Sequence, residues 1–125
     1  MIEVTENPID ASSIYERINT AGSGSAVVHF GVVKPVAGGK KTGGIRFAPD
    51  GDLEGEMASI EQQIRDKWPV NDVLLIRRMG QLVVGDIILV AAVAAETRGA
   101  AFDGCRFAVE SFKKLKNIHK EELFE

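Results

Sequence analysis

The sequence predicts an α+β fold, folded as one domain over residues 1–125. Three features predict it. The long apolar run Ile87 to Ala95 stops at Glu96, and apolar residues then recur at three- and four-residue steps, as in a buried strand feeding an amphipathic helix. A second helical stripe runs from Leu53 to Trp68. The rest consists of short β-rich runs punctuated by Gly and Pro, with no internal repeat and no linker.

Composition narrows the classes of function. A net charge of −3 and a pI near 5.4 argue against general affinity for nucleic acid or for an anionic membrane surface. The single cysteine allows neither an internal disulfide nor a cysteine-only metal cage, which fits a reducing cytoplasm. The longest apolar run is far too short to cross a bilayer, and the acidic start Met1-Ile2-Glu3 is not expected to act as a secretory signal.

In chain order, Ile2 to Thr5 reads as a first strand, broken by Asn7-Pro8. Asp10 caps a short helix with Ile14 and Ile18 on one face, ended by Ala21-Gly22-Ser23-Gly24. Ser25 to Lys34 is a strand stopped by Pro35. His29 inside it and His119 have no partner at ligand spacing, so no metal site is expected and His29 reads as an ordinary strand residue. Val36 to Gly44 (V-A-G-G-K-K-T-G-G) invites comparison with a phosphate-binding loop. However, Lys41 follows Gly39-Lys40 where Ser or Thr is needed, and strand-like Ile45-Arg46-Phe47 follows where a helix is needed. It reads instead as a mobile basic loop between two strands, a plain solvated hairpin connection being the favoured reading. Asp50-Gly51-Asp52 is a turn with too few ligands for calcium.

The helix from Leu53 carries Met57, Ile60, Ile64 and Trp68 on one stripe, with Glu54, Glu56, Glu61, Arg65 and Asp66 elsewhere, and Pro69 ends it. Asp72 to Met79 is a strand, Gly80-Gln81 a turn, Leu82 to Val84 a short strand, and Gly85-Asp86 turns the chain into Ile87–Ala95. Arg77 and Arg78 fall on opposite faces of their strand and cannot share one basic patch. The last helix places Ala101, Phe102, Cys105, Ala108, Val109, Phe112 and Leu115 on its buried face. Thr97 or Gly99 caps its start, Asp103 sits in its first turn, and Lys113, Lys114 and Lys116 crowd its end, complementing the helix dipole. Thr97-Arg98-Gly99 offers backbone N–H groups and a guanidinium to an anion. Asn117 breaks the helix before Lys120.

Taken together, Trp68-Pro69, Arg78, Gly80, Leu82, Gly85-Asp86, Arg98, Ala101-Phe102, Cys105, Phe107, Lys113 and Lys120 stand in collinear order. That order resembles the large, catalytic subunits of molybdopterin synthase, the MoaE family, and makes residues 1–125 a MoaE-like domain. Upstream, V-V-H-F-G-V-V-K resembles the family's F-x-G-x-V-R strand at Gly31 and Val33, with Lys34 in place of the arginine. The resemblance implies an α/β-hammerhead fold with a mostly antiparallel sheet and about three helices. It also implies a homodimer within a heterotetramer, whose partner is a small ubiquitin-like sulfur carrier (MoaD type) with a C-terminal Gly-Gly thiocarboxylate. The implied reaction is a sulfurtransferase reaction of molybdenum-cofactor biosynthesis, in which cyclic pyranopterin monophosphate receives two sulfurs to form the dithiolene of molybdopterin. No cofactor or metal is implied for that step.

By the same resemblance Lys113 and Lys120 are the catalytic residues, and Arg98, Lys34 and Thr97 bind substrate. Sulfur transfer from a thiocarboxylate needs a cation near the tail and a proton donor or acceptor near the pterin, and an amine serves either purpose. The plain alternative for these lysines is a basic helix end left in water. Thr97-Arg98 replaces the family's His-Arg pair, and Asn117-Ile118-His119-Lys120 replaces Pro-Phe-Trp-Lys. These departures keep a second function open, a non-catalytic binding or regulatory relative that retains the dimer and the tail groove. The apolarity of Ser25–Lys34 and Ile87–Ala95 exceeds what half-exposed strands need and adds to the expectation of a dimer.

Overall fold

The computed structural model describes residues 1–124, apart from the side chains of Ala37 and Thr42. Strand β1 (Ile2–Thr5) precedes a 3-10 turn at Ala11–Ser13, which runs directly into helix α1 (Ile14–Arg17). Then follow β2 (Ser25–Val32), β3 (Val36–Ala37), β4 (Lys40–Pro49), α2 (Leu53–Lys67), β5 (Val70–Arg78), β6 (Gly80–Leu82), β7 (Ile87–Ala95), α3 (Arg98–Phe112) and β8 (Ile118–Phe124). The α+β class, the three helices and the predominance of antiparallel pairing agree with expectation.

The first sheet has the order β1-β5-β7-β2, with β1 parallel to β5 and the other pairs antiparallel. Its central strands are apolar at nearly every position because both faces are covered. Val73, Leu75, Ala91 and Val93 pack beneath α2 and α3 with Met57, Ile60, Ile64, Cys105 and Phe112. On the other face Leu74, Ile76, Val90, Ala92 and Ala94 pack against Ile14 and Ile18. One chain therefore already buries Val90 to Ala95, so the apolarity of that stretch is not an argument for a dimer. Asp52 caps α2 by accepting from the Gly55 N–H at 2.9 Å. At the far end of α2, Trp68 meets Phe107 of α3 edge to face, with ring centroids 5.6 Å apart.

The second sheet is built around β4. On one side β4 pairs with β6, Ile45 opposite Leu82 and Phe47 opposite Gly80. On the other it pairs with β8, Phe47 opposite Lys120 and Ile45 opposite Glu122. Val36–Gly44 forms the hairpin connection favoured from sequence, with more of it in strand than a loose basic loop would have. Gly38 and Gly39, at φ 58° and 80°, form a two-residue turn with both residues in the left-handed region, and Lys40 to Gly44 already belong to β4. Gly44 has φ 140°, and a Cβ there would lie 2.4 Å from the Leu82 carbonyl oxygen, so β4 closes on β6 only through glycine. Gly80 and Gln81 are likewise strand, not turn; the turn lies at Val83 to Asp86, where the Asp86 carboxylate accepts from the Val83 N–H at 2.9 Å.

Helix α3 also differs from expectation. Thr97 is its cap, but its first turn holds no acidic residue and its last turn no basic one. Asp103 falls in the second turn, Lys113 is the C-terminal cap, and Lys114 and Lys116 lie beyond the helix. Phe102 is 54% exposed, and Ala100 and Gly104 take part in the packed face in its stead.

Candidate functional site

The site is made by the turn between α3 and β8. Helix α3 stops at Phe112, and the chain reverses through Lys116 and Asn117 into β8. Glu56 of α2 fixes that reversal. Its carboxylate accepts from the Lys116 N–H at 2.9 Å, the Asn117 N–H at 2.9 Å and the Asn117 Nδ2 at 3.0 Å. Burial acts to raise its pKa, but these hydrogen bonds and the nearby Lys116 charge outweigh burial and hold it below the ordinary 4.5. The Asn117 carbonyl in turn accepts from the Asp50 N–H at 2.9 Å.

Once β8 is anchored, its two-residue period decides which side chains share a face. Ile118, Lys120, Glu122 and Phe124 share one face. His119 and Glu121 take the other, where Glu121 lies 3.6 Å from Arg46. Two pockets open on the first face. One, about 460 Å³, is bounded by Phe47, Arg77, Phe112, Lys113, Ile118 and Lys120. The other, about 470 Å³, is bounded by Val32, Lys34, Val36, Lys120, Glu122 and Phe124. Ile45, Ile88 and Lys120 line both, so Lys120 stands on the wall between them. Its Nζ lies 3.5 Å from Glu122 Oε1, with the side chain 57% exposed.

Three of the five residues singled out from sequence are thus brought together: Lys34, Lys113 and Lys120. Thr97 and Arg98 are not. They sit at the opposite end of α3, whose 15 residues span about 22 Å. Thr97 Oγ1 accepts from the Ala100 N–H at 3.4 Å, so its hydroxyl serves as a helix cap, while Arg98 is exposed.

Sequence reasoning missed two residues. Glu56 reads as one more surface carboxylate on an amphipathic helix, and only the tertiary turn reveals its role. Arg77 reads as one half of an Arg-Arg pair split between two faces, and its neighbour behaves so: Arg78 lies 3.6 Å from Asp86. Arg77 itself is 6% exposed and lines the pocket that holds both lysines. Its guanidinium stacks over Phe47 at 4.2 Å, and Nη1 donates to the carbonyls of Arg78 at 3.1 Å and Ile88 at 3.4 Å. Burial lowers its pKa to about 10, which leaves it a cation at neutral pH.

The one cysteine is no candidate nucleophile. Cys105 is buried under α3, its Sγ donates to the Ala91 carbonyl at 3.4 Å, and burial pushes its pKa up to about 11. His29 lies opposite Ala91 in the β2–β7 ladder, as an ordinary strand residue does. Among the described residues no three His, Cys, Asp or Glu side chains gather as metal ligands, and no helix is long and apolar enough to cross a membrane. The arrangement offers two primary amines and a buried guanidinium around a mainly apolar pocket. Such a set suits a group brought in by another molecule rather than one carried on this chain's own thiol.

The chain is similar to known proteins over nearly its whole length. The family model described as MoaE protein matches residues 4–115. The molybdopterin synthase catalytic subunit of Bacillus subtilis is 27% identical over 124 residues, covering 98% of this chain and 79% of the relative. The crystal structure of molybdopterin synthase from Staphylococcus aureus superposes with a TM-score of 0.90 at 28% identity, over 98% of this chain and 90% of that one. A complex of subunits 1 and 2 of the molybdopterin-converting factor from Helicobacter pylori shares the fold, with a TM-score of 0.81 at 16% identity over 99% of this chain and 85% of that one. With the family model matched over most of its length, the chain belongs to the MoaE family.

Proposed function

We propose that the chain is the catalytic subunit of a molybdopterin synthase, a cytoplasmic sulfurtransferase acting as a single MoaE-like domain in molybdenum-cofactor biosynthesis. The observation that carries this reading is the meeting of Lys113 and Lys120, from two different elements, on one pocket of a MoaE-family chain. A small ubiquitin-like partner delivers its C-terminal Gly-Gly thiocarboxylate to that pocket. The acceptor, cyclic pyranopterin monophosphate, is held in part by its phosphate. Lys34 beside Lys120 is placed for such an anion, although an ammonium lacks the planar fork of arginine. The buried, unreactive Cys105 supports a sulfur that arrives on the partner.

Arg98 is too far along α3 to serve the same pocket within one chain. In a symmetric dimer the second copy can supply it. Lys113→Ala and Arg98→Ala chains, each nearly inactive, then complement one another. Equal mixing makes half of the dimers mixed, each with one intact site, so about a quarter of wild-type activity returns. Lack of recovery on mixing places Arg98 outside the site.

The function itself is tested by supplying thiocarboxylated partner and cyclic pterin monophosphate and following dithiolene formation. Turnover is the expected result. Tail binding without turnover would favour the non-catalytic binding relative, and neither binding nor turnover would remove the sulfur-transfer reading.

A further inference from the structure

Arg77 is the most unusual charge in the molecule. A guanidinium 6% exposed normally has a carboxylate beside it, because an uncompensated buried ion is costly. No salt bridge forms to Arg77 among the described residues. Its two carbonyl acceptors occupy only Nη1, and Nε is buried with no hydrogen-bond partner. Nε belongs to the side-on edge of the guanidinium, the edge that grips a planar two-atom anion bidentately. Stacking on Phe47 holds the plane in one orientation, so the fork is set before any ligand arrives. Arg77 lines the same pocket as Phe47, Ile88, Phe112, Ile118, Lys113 and Lys120.

We propose that Arg77 receives the terminal carboxyl or thiocarboxyl group of the partner's Gly-Gly tail, fixing the acyl end of the tail between Lys113 and Lys120. The assignment rests on the sulfur-transfer reading above and adds to it the residue that recognises the charged end of the tail. Three features favour a chain terminus over the phosphate of the pterin. A carboxylate is singly charged and less strongly hydrated than a phosphate, so it suits a single buried guanidinium better, although either anion can offer two oxygens to the fork. The pocket walls are apolar and suit a glycine backbone without side chains. The neighbouring pocket, with Lys34 and Lys120, remains for the phosphate.

The test uses the folded chain and two synthetic peptides of one sequence, one ending in Gly-Gly carboxylate and the other in Gly-Gly carboxamide, with inorganic phosphate as a third ligand. Wild type is expected to prefer the carboxylate by about 10- to 100-fold, the range of one charge-assisted contact. Arg77→Met is expected to bind the two peptides within about threefold of each other, with carboxamide affinity unchanged. Arg77→Lys is expected to fall between them, since it keeps the charge and loses the fork; it also decides the matter if the methionine variant does not fold. Full carboxylate preference in either variant, or equal weakening of both peptides, would overturn the assignment. So would a loss of phosphate binding in the variants while the carboxylate preference persists. Wild type binding neither peptide would sink the tail-delivery reading as well. Retained preference in the variants sinks only the role of Arg77.

Discussion

The two sheets of this molecule are built on opposite terms. The first, β1-β5-β7-β2, is covered by helices on both faces, and Val73, Leu74, Leu75 and Ala91 to Ala95 have no solvent exposure. The second, centred on β4 with β6 and β8 beside it, carries lysines and glutamates on strands that alternate between pocket and solvent. The first sheet provides a rigid platform and no reactive group. The second adds Ile45, Phe47 and Leu82 to the same core, but it also positions Lys120, and with the end of α3 it assembles the pocket. The amines are therefore confined to one of the two regions, with Arg77 and Glu56 at the junction. Arg77 extends from the platform into the pocket, and Glu56 ties the platform's helix α2 to the turn before β8.

Substitutions should separate the two regions. The largest loss of stability is expected in the platform. Leu75→Ala removes a fully buried side chain beneath α2 and α3, and should cost about 2–5 kcal/mol in urea unfolding with turnover per folded molecule preserved. A comparable loss from Lys120→Ala would break the division.

A smaller effect is expected at the junction. Glu56→Ala removes the acceptor of the Lys116 and Asn117 N–H groups and should cost about 1–3 kcal/mol. Unlike the platform variant, it should also reduce turnover, because the path that carries Lys120 is released. This contribution depends on pH with a definite sign. The folded carboxyl titrates below its ordinary 4.5, so its stabilisation is complete above that value and disappears as pH falls through the lowered folded value. Wild type and Glu56→Gln should accordingly differ at neutral pH and converge in acid, as thermal melts at several pH values will show. A constant difference down to the acid limit would mean that Glu56 acts by packing alone. The smallest effect is expected on the outer face of the second sheet. Arg46 and Glu121 are 50% and 53% exposed, and Arg46→Ala should change stability by no more than about 0.5 kcal/mol, with turnover intact.

The same division explains what could be read from sequence. Strands β5 and β7 and helices α2 and α3 announce themselves through apolar runs and stripes, because each buries a face against another apolar layer. Strand β8, I-H-K-E-E-L-F, has no apolar run to mark it and is specified by its register against β4. The glycines that make Val36–Gly44 look like a loop are needed for the two-residue turn and for the close approach of Gly44 to Leu82. The family resemblance was needed to pair Lys113 with Lys120, and the break at Asn117, which is local, showed how a turn can bring them together. Position along the chain was not sufficient for Arg98, whose distance from the lysines depends on the length of α3 in space, nor for Glu56 and Arg77, whose partners lie on other elements.

The central claim is that Lys113 and Lys120 act together from two elements on one pocket. A double-mutant cycle on sulfur transfer tests it most directly. Lys113→Ala and Lys120→Ala are each expected to lower turnover by at least about 100-fold, the usual contribution of a positioned acid or base, while both chains stay folded. The double variant is expected to lose far less than the product of the two, because groups that act as a unit are not additive. Near-normal rates in either single variant, or a double variant that loses the full product, would contradict it.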